Sequence, residues 1–232
     1  MISLAILMAL ALSPNQALIE ACLNGDLAGL KQAIVQGAEL EIRHGNRDLT
    51  PLMLSVYRDH PEQLQYLIQA GANINARSTG GFTPLLMAAG GGQDDLSLLL
   101  LKQGAELNAR DEEGNSALHW AAYWGHIPVL KVLLAAGLDP NLKNHQDNTA
   151  LLLAASASPG KMNLQRQKSP LKNFKGKVSR QSARAVDIPV VIKLFMDYQA
   201  DPNLSNQAGE TALMLFAADG QRGAVHFLIA SG

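Results

Sequence analysis

The chain has 232 residues, 47% of them hydrophobic and 17% charged, which suits an ordered domain and excludes a disordered or collagen-like chain. Its 19 basic and 20 acidic residues give a formal net charge of −1, so no global field argues for nucleic acid. The single cysteine, Cys22, excludes an internal disulfide and any zinc site built from several cysteines. It falls between two expected helices, where a small buried apolar residue fits.

Residues 1–12, MISLAILMALAL, form an apolar run too short to cross a bilayer, which takes about 20 residues. Three readings stay open for it. Ala9-Leu10-Ala11 and Ser13 supply the small residues that end a secretory signal peptide, although no Lys or Arg precedes the run. Equally, the run reads as a greasy helix covering the open end of the domain. A misplaced start codon is the third reading.

From residue 16 the chain repeats itself. Residues 16–49 form a first, degenerate unit, with Asn24-Gly25-Asp26 as the turn between two helices and Gly37-Ala38 closing the second. The next unit, 50–82, opens with Thr50 as helix cap and Pro51 at the first helical position, where a missing amide costs nothing. The unit 83–115 carries Gly90-Gly91-Gly92, which lacks the lysine and Ser/Thr of a phosphate loop and reads as a loosened helix end. Residues 116–148 show the pattern most fully. Ser116 is the cap, Leu118, Ala121 and Ala122 form a short apolar face, Gly125 breaks the helix, and Val129, Leu130, Val132, Leu133 and Leu134 form a second stripe closed by Gly137. Asp139-Pro140-Asn141 then begins a turn. Thr50, Thr83, Ser116 and Thr149 stand 33 residues apart, as do Gly71, Gly104 and Gly137. A pair of short helices cannot bury its own apolar face, so such units are stable only when stacked.

The fifth unit, 149–210, breaks the period. Thr149 to Thr211 is 62 residues, or 33 plus 29, and the extra residues fall between the two helices, at about 158–186. This insert holds Lys161, Arg166, Lys168, Lys172, Lys175, Lys177, Arg180 and Arg184 and no acid. The other residues then carry 19 − 8 = 11 basic against 20 acidic side chains, a net −9. A basic segment is attached to an acidic body. A last unit, 211–232, has both helices and no turn after them, and reads either as a cap or as one link of a longer array, with Phe227, Leu228 and Ile229 expected on its end face.

With Thr50-Pro51-Leu52, Thr83-Pro84-Leu85, Ser116-Ala117-Leu118-His119, Ala121-Ala122 before Gly125-His126, and Gly71-Ala72-Asn73 before Asn75, the chain resembles the ankyrin repeat family from about Gln16 onward. The resemblance implies an all-α repeat solenoid, an ankyrin-type stack of helix–turn–helix units with short β-hairpin-like turns. It also implies that His119, at the histidine of the family tetrapeptide, braces neighbouring repeats. Met53, Leu86, Leu152 and Met214 stand at the matching positions and cannot do so.

Family partners are met by turn tips and by the two residues before the inter-helix glycine. Carried over, those pairs are Tyr57-Arg58, Gly90-Gly91, Tyr123-Trp124, Ser156-Ala157 and Ala218-Asp219, with tips near Asn46-Arg47, Thr79-Gly80, Glu112-Glu113, His145-Gln146 and Gln207-Ala208. Aromatic residues and Arg dominate interface hot spots, so the expected partner-binding set is Tyr57, Arg58, Glu112, Glu113, Tyr123, Trp124, His145 and Gln146. Trp124 is expected to stand beside a shallow hollow, its removal weakening binding and sparing stability.

His119 and His126 have no third metal ligand at a matching spacing, and no nucleophile stands with a base and an orienting acid. The reading is therefore a non-catalytic, monomeric protein-binding module without metal or cofactor, its compartment open. The alternative is an electrostatic adaptor whose 158–186 segment binds nucleic acid or an acidic membrane.

Overall fold

The structure is a computed structural model and describes residues 12–156 and 187–231. The basic residues of the insert, Ala157 and most of the N-terminal apolar run lie outside the described residues. Six helix pairs follow one another: α1 (Pro14–Asn24) and α2 (Leu27–Val35), α3 (Pro51–Arg58) and α4 (Pro61–Gln69), α5 (Pro84–Gly91) and α6 (Asp94–Lys102), α7 (Ala117–Trp124) and α8 (Ile127–Ala135), α9 (Ala150–Ser156) and α10 (Ile188–Asp197), and α11 (Ala212–Ala218) and α12 (Arg222–Ser231). Among the described residues no strand forms, only single bridges between His44 and Leu49 and between Ser205 and Thr211.

Short-range chemistry sets each pair. The Thr50, Thr83, Thr149 and Thr211 hydroxyls each accept the amide three residues on, at 3.3 to 3.4 Å, which satisfies one orphan donor of the first turn. At the other end, Gly25, Gly92 and Gly125 cap α1, α5 and α7 with positive φ of 70 to 78°, a conformation that costs residues with a Cβ. Asp59 does the same for α3 at φ 60°, where the sequence lacks the usual glycine. Helix α5 runs through Gly90 and Gly91 and ends at the Gly92 cap, so the glycine run is helix rather than a loosened end. The first unit also begins three residues earlier than expected, because Ser13 and Gln16 form a capping box ahead of Pro14.

The first helices α1, α3, α5, α7, α9 and α11 pack on one another in sequence along the stack. Their shared faces hold the core, in which Leu18, Leu52, Leu86, Leu118 and Phe216 are at most 1% exposed. Deletion of any of these side chains would open a cavity inside a repeat boundary. Cys22 is fully buried, as expected, but it lies within α1 rather than between two helices, and burial pushes its thiol up to about 12 against the opposing hydrogen bond from Ser55.

Polar ladders join each unit to the next, and they recur with the repeat. Arg43 Nη1 donates to the Arg77 carbonyl at 2.7 Å, Arg77 donates to the Arg110 carbonyl, Arg110 Nη1 donates to the Lys143 carbonyl at 2.7 Å, and Lys143 Nζ donates to the Ser205 carbonyl at 3.1 Å. Nearer the helix ends, Gln93 Nε2 donates to the Val56 carbonyl at 2.8 Å and Gln63 Nε2 to that of Ala21 at 2.9 Å. Such bonds run from one unit to carbonyls of another and fix the register of neighbouring units.

Candidate functional site

The turn tips form one continuous edge. The backbone amide of Thr79 donates to the Arg47 carbonyl, Glu112 to Gly80, His145 to Glu113 and Gln207 to Gln146, at 3.0 to 3.1 Å, so each tip is laced to the one before it. Glu112, Glu113, His145 and Gln146 are exposed along this edge. Beneath the Glu112 tip, buried Asp111 accepts the Asn115 amide at 2.8 Å and the Trp120 indole N–H at 2.8 Å, and Asn144 Nδ2 donates to Asn115 Oδ1 at 2.7 Å. The acidic tip is thus held rigid by its own buried side chains.

The first helices supply the neighbouring face. Tyr57 is half-buried with the guanidinium of exposed Arg58 5.9 Å from its ring centre, a cation–π distance. Half-buried Tyr123 lies edge-on to Trp120, 6.3 Å between centroids, and Trp120 lies 5.3 Å from Phe82. This aromatic cluster around Phe82 and Trp120 did not emerge from the sequence reading, although Trp120 stands one turn before Trp124 on the same short helix. Gly90 and Gly91 are buried between the Tyr57 and Tyr123 units, and Ser156 is half-buried.

Trp124 corrects the expectation. It is 6% exposed and belongs to the core, with its ring 4.9 Å from that of Tyr123 and nearly perpendicular to it. Of the two first helices packed against α7, α5 carries glycine at the two equivalent positions and so presents no side chain there against the ring. A buried ring cannot meet a partner directly; Trp124 instead supports Tyr123 from beneath.

His119 is fully buried and ties the start of its own unit to its end, whereas its place in the tetrapeptide implied a brace to a neighbouring repeat. Its Nδ1 lies 2.8 Å from Ser116 Oγ and accepts the Ser116 amide at 3.2 Å, which leaves Nε2–H to donate to the Asn148 carbonyl at 2.9 Å. Burial pulls its pKa down to about 4, partly opposed by the hydrogen bond to Asn148. Among the described residues no group of three His, Cys, Asp or Glu side chains is placed to hold a metal ion.

Stacked helix pairs joined by laced tips, with a buried histidine brace, define a helical repeat solenoid. A family model described as ankyrin repeats, in three copies, matches residues 18–111, 70–144 and 96–163. The chain belongs to the ankyrin repeat family, whose repeats are in general protein–protein interaction modules and in general not enzymes. Among solved structures it is similar to the crystal structure of EF0377, an ankyrin repeat protein, at 25% identity and a TM-score of 0.74, over 93% of this chain and 97% of that one. No curated protein matches.

Proposed function

We propose that this chain is a non-catalytic module that holds a protein partner on its concave face, against Tyr57, Arg58 and Tyr123 on the first helices and Glu112, Glu113, His145 and Gln146 on the tips. The observation that carries the reading is the Tyr123 ring, half-exposed and propped by Trp120 and Trp124. A ring held in place loses little conformational freedom when a partner covers it, which favours its use as an anchor. Affinity capture with the intact chain beside a Tyr57→Ala/Tyr123→Ala variant tests this. The expected result is a loss of affinity of roughly thirtyfold, from the 2 kcal/mol or more typical of a truncated anchor, with the melting curve of the variant close to wild type. Unchanged capture by a folded variant would remove the support for this face.

Charge segregation favours one other reading. The eight basic residues of 158–186 carry no acid among them, while the rest of the chain is at −9 (11 basic, 20 acidic). Ser156, the last described residue before the segment, stands at the position equivalent to Tyr123. A chain with 158–186 replaced by a short glycine turn separates the two. If the segment is an anion-binding adaptor, binding of the wild type to a polyanion falls steeply with salt and disappears in the deletion. Partner capture by the deletion variant is expected to persist.

A further inference from the structure

We propose that α11 and α12 present a docking face for a second copy of this chain, and that two copies meet there about a two-fold axis. The inference does not rest on the concave-face reading, since it uses none of the residues assigned to that face.

The face is one that the fourth unit buries. Thr211 stands at the helix-cap position that Ser116 holds there, so Leu213, Met214, Ala217 and Ile229 are the equivalents of Leu118, His119, Ala122 and Leu134. In the fourth unit these four residues are at most 2% exposed, with α9 packed on α7. In the sixth, Leu213, Met214 and Ile229 are 37, 58 and 66% exposed, and Ala217, one turn on from Leu213, is exposed with them. Of the residues the sequence placed on this face, Ile229 lies open, Phe227 is half-buried and Leu228 is turned into the core. Clustered apolar side chains of this kind mark protein–protein contacts, because covering them returns apolar surface from water.

Two observations point to a second copy as the occupant. The first is charge. Helices α11 and α12 hold one acid, Asp219, and one base, Arg222, and the four residues of the face are uncharged. The other residues outside 158–186 then carry 11 − 1 = 10 basic against 20 − 1 = 19 acidic side chains. Two copies meeting through most other surfaces would set like charges together, whereas this face brings none into the contact. The second observation is shape. Leu213 and Met214 put large side chains on the first turn of α11, and Ala217 and Ala218, four residues further along the same side, leave its last turn low. A two-fold axis across the middle of α11 sets the helix antiparallel to its mate and lays the large pair of each copy on the small pair of the other. A closed two-fold contact requires a patch that is complementary to itself in this way.

Sedimentation velocity of the full chain from about 5 to about 500 µM, a range that spans weak reversible association, tests the proposal. The expected result is a shift from monomer to dimer with no larger species. Met214→Glu/Ile229→Glu changes side chains that already lie in solvent, so its melting curve should match the wild type, while its dissociation constant should rise at least about thirtyfold. Ala218→Arg should weaken the dimer comparably from the small side of the contact. A wild-type chain that stays monomeric at about 500 µM would leave the face to a different protein and overturn the proposal. Growth beyond the dimer, which a two-fold contact cannot produce, or unchanged dimerisation of either folded variant would overturn it as well.

Discussion

Trp124→Ala is expected to lower the melting temperature by about 10 °C. The ring is 6% exposed and packs into the core between first helices, where truncation of an aromatic side chain to Ala costs roughly 3–5 kcal/mol in lost burial and residual cavity. In a chain of this size each kcal/mol moves the midpoint by about 2–4 °C. Stability in a stack is shared mainly between neighbours, so the loss should fall on α7 and the units beside it, and amide hydrogen exchange should rise there first. Trp124→Phe, which keeps most of the apolar volume, should lose markedly less. A Trp124→Ala variant with an unchanged midpoint would show that the ring is peripheral after all. Partner affinity is expected to fall in this variant only through Tyr123, which loses the ring against which it stands edge-on at 4.9 Å.

The second large effect is a dependence on pH that runs through His119. Its pKa in the fold is about 4, below the ordinary 6.5, because burial disfavours the imidazolium. The unfolded chain therefore binds a proton that the folded chain refuses between these two values. The contribution is fully present above about pH 6.5 and is lost as the pH falls toward 4, with a total of roughly 3 kcal/mol at 1.36 kcal/mol per pH unit. Protonation would also add a second ring donor at Nδ1, where the Ser116 amide already donates, and so would break the cap of α7. Urea melts of the wild type and of His119→Gln at pH 7.5 and 4.5 isolate the effect from the carboxylates, which both chains share. The wild type should lose at least about 2 kcal/mol more than the variant over this interval. An equal loss in both chains would show that the histidine is not the sensing group. The variant should be less stable at pH 7.5, since it gives up the bond to the Asn148 carbonyl that ties the first helix of the fourth repeat to the end of its turn.

These two residues also mark the boundary between what was legible in the sequence and what was not. The burial of His119 could be assigned from its place in a tetrapeptide, because its bonds run to backbone groups at fixed places in its own repeat. The chain's 33-residue period, threonine caps and inter-helix glycines likewise marked out the helix pairs seen among the described residues. Caps and left-handed glycines act within a turn or two of chain, where sequence spacing and spatial spacing are the same thing. Trp124 could not be placed this way. Whether a ring at a helix end points into the core or out to solvent depends on the side chains that a separate helix presents, and α5 presents Gly90 and Gly91. The ladder of Arg43, Arg77, Arg110 and Lys143 recurs at nearly the repeat interval and was open to discovery as a periodic cation, yet its acceptors are carbonyls of the next unit, which residue types do not reveal. That Leu213, Met214 and Ile229 are exposed while Leu118, His119 and Leu134 at the equivalent positions are buried depends on how the helices pack against one another, and only the assembled tertiary structure decides that.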